Sequence, residues 1–223
     1  MPKLLSPDDI AGFRDRLIDA AERLFAEHGT EVVTIRQIAG ELGVSAMTPY
    51  RYFRDKDAIL AAVRARGFDR HAEALEHAYA DHPGDTAGRA RAIGAAYVDF
   101  ALANPETYKL MFDFKQPSEG DYPDLVRAGR RSHATMTLHL RDLARAGQLN
   151  GDPELFGHLY WAALHGPLML QFAGMLPAKY DVRRLIDALS AAIGGAVTRA
   201  TSPRPAHPRE RGDQSVYVSA AGE

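Results

Sequence analysis

The chain has 223 residues, 46% of them hydrophobic, which is enough for a sizeable core in one extended domain or two smaller ones. It contains no cysteine, and this excludes disulfides, thiolate metal sites, iron–sulfur clusters and cysteine nucleophiles. Basic residues number 27 and acidic residues 29, so the net charge is -2, which taken alone argues against a nucleic-acid-binding protein.

The sequence predicts neither a secretory signal nor a membrane anchor. Its first residues lack the apolar run of a signal peptide. The stretch Leu155–Ala178 is uncharged and long enough to span a bilayer, but it contains His158 and His165 and is interrupted by Gly166-Pro167. Since polar groups are costly in hydrocarbon, a buried helix of a bundle is the favoured interpretation. We expect a cytoplasmic protein that does not bind membranes.

Helical signals begin close to the N-terminus. Residues 1–9 form an N-terminal arm that leads into the first helix, with Ser6 as N-cap and Pro7 at the first helical position. Apolar residues then recur at helical spacing as far as Phe25. Gly29 is placed to end this helix in the left-handed conformation.

A pair of short helices follows. Thr34 and Gln37 have the spacing of a capping box and open the second helix, and Gly43-Val44 predicts a tight turn after it. The third helix either starts after Ser45 and runs to about residue 52, or starts at Pro49 with residue 48 as its cap, a position that suits proline better. Two short helices joined by a tight turn describe a helix-turn-helix.

A fourth helix is predicted from Asp55, which serves as its N-cap, to about Tyr79. Three sequence blocks of this region, Thr34–Ala39, Leu42–Ser45 and Tyr50–Asp57, together resemble the DNA-binding domain of the TetR family of transcriptional regulators. The resemblance covers residues 10–66 and implies a three-helix helix-turn-helix domain whose third helix enters the major groove.

Ten residues of this domain are candidates for contact with DNA. Small, apolar and hydroxyl side chains at the start of the third helix suit base edges, and the resemblance places Arg36 where some relatives read a guanine. Hydroxyl and basic groups near helix starts suit phosphates, because the free amides and dipole there favour an anion. The candidates are Thr34, Arg36, Ser45, Ala46, Met47, Thr48, Tyr50, Arg51, Tyr52 and Lys56.

From residue 67 the pattern predicts a second, larger helical domain, 67–201, and so an all-α protein. Its helices are expected at about 86–103, 105–114, 122–147, 152–175 and 181–200, separated by proline- and glycine-containing breaks. Residues 202–223 begin with closely spaced prolines that cannot continue a helix, and we expect a disordered tail there.

The last two helices carry apolar stripes that suit a dimer interface. A small DNA-reading domain contacts few base pairs, so specific recognition usually needs two copies on a near-palindrome. The resemblance implies a four-helix bundle built from two helix pairs, while the alternative is that the stripes serve only the intramolecular core. The candidate interface residues are Leu155, Leu159, Ala162, Leu185, Leu189 and Ile193.

The middle of the second domain is rich in aromatic residues and methionine. Trp161–Gly166 resembles the W-x-x-x-H-G signature of one C-terminal subgroup of the family, and the resemblance implies an inducer pocket. A mostly apolar pocket with a few polar anchors is the usual form of a small-molecule site, although such residues also build ordinary cores. The candidates are Tyr97, Phe100, Tyr108, Met111, Phe112, Met136, His139, Trp161, His165, Met169 and Phe172.

These features predict a repressor that binds a palindromic DNA operator as a homodimer and is released by a small apolar or amphipathic effector. The effector would favour a state in which the reading heads no longer match successive major grooves. An activator of the same family, or a helical ligand-binding protein without DNA binding, is the alternative. No enzyme, metal site or cofactor is predicted, because the chain has no H-E-x-x-H, phosphate loop or G-x-S-x-G.

Positive and negative charges are unevenly distributed along the chain. Residues 34–66 carry six basic and three acidic side chains, whereas residues 1–33 carry four basic and seven acidic ones. The helix-turn-helix is therefore positive in a chain of nearly balanced charge, and its modest excess predicts few phosphate contacts.

Overall fold

The computed structural model describes residues 7–113, 121–149 and 151–199, and every regular element in these ranges is helical. The all-α prediction is therefore confirmed. Ser6 and the tail 202–223 lie outside the described residues. The elements are α1 (Pro7–His28), α2 (Ile35–Glu41), a 3₁₀ turn (Pro49–Arg51), α3 (Lys56–Ala80), α4 (Thr86–Ala103), α5 (Pro105–Met111), α6 (Pro123–Thr135), α7 (Leu138–Arg145), α8 (Pro153–Phe172) and α9 (Val182–Arg199).

The predicted helix starts of the N-terminal region are confirmed. Helix α1 begins at Pro7, so the last three residues assigned to the arm belong to its first turn. The capping box at α2 is complete: the Thr34 hydroxyl accepts from the Gln37 amide, and the Gln37 side chain accepts from the Thr34 amide. The Asp55 carboxylate accepts from the amide of Ala58 at 2.7 Å and caps α3.

The prediction of a third α-helix from Ser45 to about residue 52 is wrong. A 3₁₀ turn forms at Pro49–Arg51, where the alternative placed the helix start, and the Thr48 side chain makes no capping bond. Because proline has no N–H, it cannot bond back to Ser45, whose carbonyl accepts from the Thr48 amide at 2.8 Å instead. The segment after α2 is therefore a tight turn whose hydrogen bonds join residues three apart.

The N-terminal helices enclose one core. Buried residues from α1, α2 and α3 meet there, including Leu17, Phe25, Ile38 and Ile59. Leu110 of α5 belongs to the same core, although α5 lies in the second domain. Helix α3 is 25 residues long and continues beyond this core to pack against α4 and α6. Helices α3 and α5 thus pack against both domains and connect them.

The single helix predicted at 122–147 is divided into α6 and α7. The amides of Met136 and Thr137 bond three residues back, to His133 and Ala134, instead of four. The Thr137 hydroxyl also bonds to the Ala134 carbonyl, and such back-bonding by hydroxyl side chains competes with the helical ladder. The break turns the Met136 side chain into the protein interior, where it is 2% exposed.

Helix α8 passes through Pro167 without a break and packs along α9. Pro167 and Leu168 are buried, so this part of the uncharged stretch is core. None of the helices within the described ranges is long and apolar enough to cross a membrane.

Candidate nucleic-acid interface and ligand cavity

The segment around the 3₁₀ turn presents a group of exposed side chains. Ser45, Ala46 and Arg51 are exposed, Met47 is 68% exposed and Tyr50 is 49% exposed. Thr48, between them, is half-buried, and Pro49 is buried beneath the turn. Large apolar side chains that protrude from a tight turn are unusual on a surface that faces only water, and they can contact thymine methyl groups.

Two arginines of this region point to solvent. Arg36 on α2 and Arg51 in the 3₁₀ turn are exposed, and within the described residues neither makes an ion pair or side-chain hydrogen bond. Thr34, by contrast, has its hydroxyl engaged on both sides, since it accepts from the Gln37 amide and donates to the Gln37 side chain at 2.8 Å. The Thr34 hydroxyl is therefore occupied by the N-terminal cap of α2.

Lys56 and Tyr52 both have structural partners. The Lys56 ammonium donates to the carbonyl oxygen of Thr30 at 2.9 Å and to that of Glu31 at 3.4 Å, so it ties the start of α3 to the loop between α1 and α2. The Tyr52 ring packs against Phe13 of α1 with ring centroids 4.8 Å apart. Both residues hold the helix-turn-helix together, a role that sequence spacing did not indicate.

The remaining positive charges of residues 34–66 are engaged elsewhere. Arg54 pairs with Asp55 and donates to the hydroxyl of Tyr122 at 2.9 Å. Arg64 is 4% exposed and donates to the carbonyl of Met111, and Arg66 forms ion pairs with carboxylates of α1. The positive excess counted along the sequence therefore overstates the charge available to a phosphate.

A half-buried carboxylate connects three helices between the domains. Glu22 of α1 accepts from Arg66 and Arg70 of α3 and from Thr107 of α5, at 2.6 to 2.7 Å. Burial acts to raise the pKa of Glu22, but the hydrogen bonds from Thr107 and Arg66 and the charge of Arg70 lower it overall. The network fixes α5 against the N-terminal domain.

An apolar face runs along α8 and α9 on the outside of the molecule. Leu155, Leu159 and Ala162 follow one stripe of α8, with the two leucines 57% and 42% exposed. Leu189 of α9 is also exposed, and Leu185 is half-buried. Ile193, also predicted for this interface, packs on the buried pair Leu140 and Leu149 of the intramolecular core.

A cavity of about 880 Å³ opens inside the second domain, within the size range of sites for drug-sized molecules. Five of the predicted ligand-binding residues line it: Tyr97, Met111, Phe112, Met136 and Trp161. Its wall combines an aromatic and thioether surface with several polar groups.

The other predicted ligand-binding residues lie at several places around this cavity. Phe100, Tyr108 and His165 pack against its wall, as in the 4.6 Å approach of the His165 ring to Phe112, and Phe172 packs on Tyr108 behind them. His139 lines a second, smaller cavity of about 460 Å³, which Met136 also lines. Met169 lies with Phe112 at a shallow cleft near the end of α1.

Four side chains form a hydrogen-bonded chain beside the cavity, two of them, Tyr97 and Tyr108, fully buried. Trp161 donates from Nε1 to the Tyr97 hydroxyl at 3.1 Å, the hydroxyls of Tyr97 and Tyr108 are 2.6 Å apart, and Tyr108 lies 2.7 Å from Nδ1 of His165. Burial raises the pKa of both tyrosines and lowers the pKa of His165. All four groups are therefore uncharged at neutral pH.

Helix α3 contributes cavity residues that the sequence did not single out. Arg64, Phe68 and His71 line the cavity, four and then three residues apart, so they share one face of the helix. Helix α5 comes close to this face because Gly67 leaves room: a Cβ there would lie 2.8 Å from Cγ of Met111. Their spacing along the sequence, which is that of one helix face, is the signal that could have identified them.

Polar residues of α6, α7 and α8 complete the cavity wall. Arg130 is exposed, and Arg141 forms an ion pair with Glu154 at 2.7 Å. The His133 ring lies 4.4 Å from that of His158. Burial, and secondarily the proximity of His158, lowers the pKa of His133. No group of three or more potential metal ligands occurs in the ranges that the structure describes.

A small helix-turn-helix domain that is followed by a larger helical domain with an internal cavity defines a class of DNA-binding proteins. The family model described as bacterial regulatory proteins, tetR family, matches residues 17–63. The model described as the tetracyclin repressor-like C-terminal domain matches residues 90–193.

Individual proteins resemble the chain over different lengths. It is 38% identical over 72 residues to an HTH-type transcriptional repressor, Rv1474c of Mycobacterium tuberculosis, which is 32% of this chain and only 38% of that protein. It is 31% identical over 147 residues to the HTH-type transcriptional regulator BetI of Brucella suis, covering 63% of this chain and 72% of that protein. A solved structure of a protein of unknown function from Rhodococcus sp. RHA1 superposes with a TM-score of 0.73 at 31% identity, covering 83% and 95% of the two chains.

The chain therefore belongs to the TetR family of bacterial transcriptional regulators, and its N-terminal domain is the helix-turn-helix DNA-binding domain of that family. The family models and the curated relatives that it matches are those of transcriptional regulators.

Proposed function

We propose that this protein is a repressor that binds a near-palindromic operator as a homodimer and leaves it when a small molecule occupies the cavity of the second domain. The observation that carries the proposal is an exposed reading turn (residues 45–51) in the N-terminal domain together with a large cavity in the second domain. Helices α3 and α5 contribute residues both to the core of the N-terminal domain and to the cavity wall. The similarity to a protein named as a repressor supports the direction of regulation.

The DNA contact is assigned to the exposed side chains around the 3₁₀ turn. Ala46, Met47 and Tyr50 would face base edges, and Ser45 and Arg51 would contact phosphates. Arg36 would read a guanine, a pair worth about 1–3 kcal/mol of discrimination when it is bidentate. Thr48, Thr34, Tyr52 and Lys56 border this surface, and their intramolecular contacts keep the turn in place.

The dimer is assigned to the exposed apolar face of α8 and α9. A face with Leu155, Leu159 and Leu189 in contact with water would be covered by the same face of a second copy, since a two-fold interface uses one patch twice. Two copies place two reading turns on one duplex, where recognition needs them about 34–36 Å apart.

Release by a ligand is assigned to α5. Met111 lines the cavity, Leu110 lies in the N-terminal core and Thr107 bonds to Glu22 of α1. A molecule that displaces Met111 would therefore shift contacts that also hold the DNA-binding domain. The two reading turns would lose their matched spacing, and operator affinity would fall.

The test is DNase footprinting of the purified protein on the intergenic DNA beside its own gene. Wild-type protein should protect a near-palindromic site, and Arg36→Ala and Arg51→Ala should both weaken this protection. Arg91→Ala, which removes an exposed arginine of α4, is the matched control and should protect the site like wild type. Full protection by the two arginine variants would refute the assigned surface.

A further inference from the structure

His71 of α3 is held in one orientation at the wall of the large cavity. It is 1% exposed, and its Nδ1 lies 2.9 Å from the Ser132 hydroxyl of α6. Its ring meets the edges of Tyr97 and Phe100, with centroids 4.8 and 5.2 Å away. The imidazole therefore has little freedom to rotate, and its second nitrogen has a fixed position.

That second nitrogen, Nε2, is buried and has no hydrogen-bond partner among the described residues. A buried polar atom without a partner is costly and uncommon in native proteins, and a ligand or an ordered water often supplies the missing bond. Burial lowers the pKa of His71 to about 4, so the ring is neutral at pH 7 and does not attract an anion.

The surroundings of His71 are suited to hydrocarbon. Phe68, Met111, Phe112 and Trp161 line the same cavity and offer aromatic and thioether surface. The charged residues of the wall already have contacts or lie at the surface: Arg64 donates to the carbonyl of Met111, Arg141 is paired with Glu154, the half-buried Asp113 has a partner as well, and Arg130 is exposed.

Nε2 of His71 is a donor in one tautomer of the neutral ring and an acceptor in the other. The Ser132 hydroxyl is compatible with both tautomers, because it can donate to Nδ1 or accept from it. A hydroxyl group satisfies both cases, because it can donate to a bare nitrogen or accept from an N–H. A carboxylate can only accept, and it would also lose its hydration without gaining a countercharge from a neutral imidazole.

We propose that the effector is a predominantly apolar, uncharged molecule with one hydroxyl group, which hydrogen-bonds to Nε2 of His71 while its hydrocarbon body lies among Phe68, Met111, Phe112 and Trp161. This inference rests on the proposed function, since it names the chemical class of molecule that occupies the regulatory cavity. His71 is then the residue that selects among apolar molecules of similar shape.

The experiment uses the fluorescence of Trp161, which is the single tryptophan of the chain and lines the cavity. Full-length protein is titrated with three saturated bicyclic probes of one shape: decahydro-2-naphthol, decalin and decahydro-2-naphthoate. The alcohol should bind about tenfold tighter than decalin, as expected for one buried hydrogen bond made to an otherwise unsatisfied group, and tighter than the carboxylate. Equal binding of the alcohol and decalin, or tighter binding of the carboxylate, would overturn the proposal.

His71→Leu tests the assigned residue. It should lower the affinity for the alcohol about tenfold and leave the affinity for decalin unchanged, so that the preference disappears. His133→Leu is the matched control, because His133 also lines the cavity and its Nε2 also lacks a partner among the described residues. It should keep the preference. If the preference is lost in His133→Leu but kept in His71→Leu, the hydroxyl of the alcohol bonds to His133 instead of His71, and the proposal is refuted.

Ser132→Ala keeps the test valid if His71→Leu does not fold. It removes the anchor of the imidazole, so the preference for the alcohol over decalin should fall while His71 is still present; an unchanged preference would count against the proposal. A different result is expected if the ligand assignment is right but the proposed regulation is wrong. In that case the alcohol binds with the expected His71 dependence, yet the operator footprint does not change at saturating alcohol.

Discussion

The hydroxyl of Tyr108 lies 2.7 Å from Nδ1 of His165, and this contact joins α5 to α8 across the cavity wall. Through Tyr97 the same chain of hydrogen bonds reaches Trp161, one turn before His165 on α8. The tryptophan and the histidine of the W-x-x-x-H-G block therefore belong to one hydrogen-bonded network. The helix that carries Tyr108 also carries Leu110 of the N-terminal core, so the network lies next to the connection between the domains.

Tyr108→Phe should destabilise the fold. The substitution keeps the ring but removes the hydroxyl between Tyr97 and His165, which leaves two buried polar groups without this partner. We expect a loss of about 1–3 kcal/mol in the free energy of unfolding, measured by urea denaturation. Tyr50→Phe is the control, because the Tyr50 side chain is exposed, and it should leave the unfolding midpoint in place. Equal midpoints for Tyr108→Phe and wild type would contradict the role of the network.

Stability should fall between pH 6.5 and pH 4 because of His71 and His139. Burial lowers the pKa of each to about 4, whereas a histidine in the unfolded chain titrates near 6.5. Below pH 6.5 the unfolded state therefore binds protons that the native state does not, and the free energy of unfolding decreases as the pH falls. Each histidine should account for about 2 kcal/mol of the difference between pH 7 and pH 5.

The measurement is urea denaturation of wild type, His139→Leu and His77→Leu at pH 7 and pH 5. His139→Leu should lose less stability on acidification than wild type. His77 is exposed, so its variant should show the wild-type difference. The same acid sensitivity in all three proteins would show that His139 is not buried as a neutral group.

Arg51→Gln should make operator binding less sensitive to salt. Arg51 is exposed and makes no ion pair within the described residues, so its charge is available to a phosphate. A dimer loses two such contacts, and the slope of log K against log salt concentration should become shallower by about 2. The slope is measured by fluorescence anisotropy with labelled operator DNA. Arg91→Gln on α4 should keep the wild-type slope, and a shared change in both variants would point to overall charge instead of a contact.

Leu159→Lys should prevent dimerisation. The residue lies in the middle of the exposed stripe of α8, and a charge there would be buried without a partner in a two-fold interface. Sedimentation equilibrium should show a monomer with native helical content, and operator affinity should fall. Val32→Lys, which changes a 66% exposed residue of the N-terminal domain, should leave the oligomeric state as in wild type. A Leu159→Lys protein that sediments like wild type would place the interface elsewhere.

Much of the fold was predictable because its signals are local. The caps at Thr34 and Asp55 need only a side chain and an amide three residues further on, and the structure has both. The division of 122–147 was not predictable in the same way. Hydroxyl side chains compete with the helical ladder only weakly, and the burial of Met136 that accompanies the break depends on residues far away along the chain.

The sequence by itself determined an all-helical protein with a helix-turn-helix, because periodicity and capping depend on neighbours along the chain, and its resemblance to the TetR family indicated a regulator. Tertiary structure decided which charges can reach DNA: Arg54, Arg64 and Arg66 are engaged by groups on distant helices, whereas Arg36 and Arg51 face solvent. It also brought His71 of α3 into the cavity wall beside Ser132 of α6. Burial and hydrogen-bond partners depend on residues far apart in the chain, so only the packed helices could assign them.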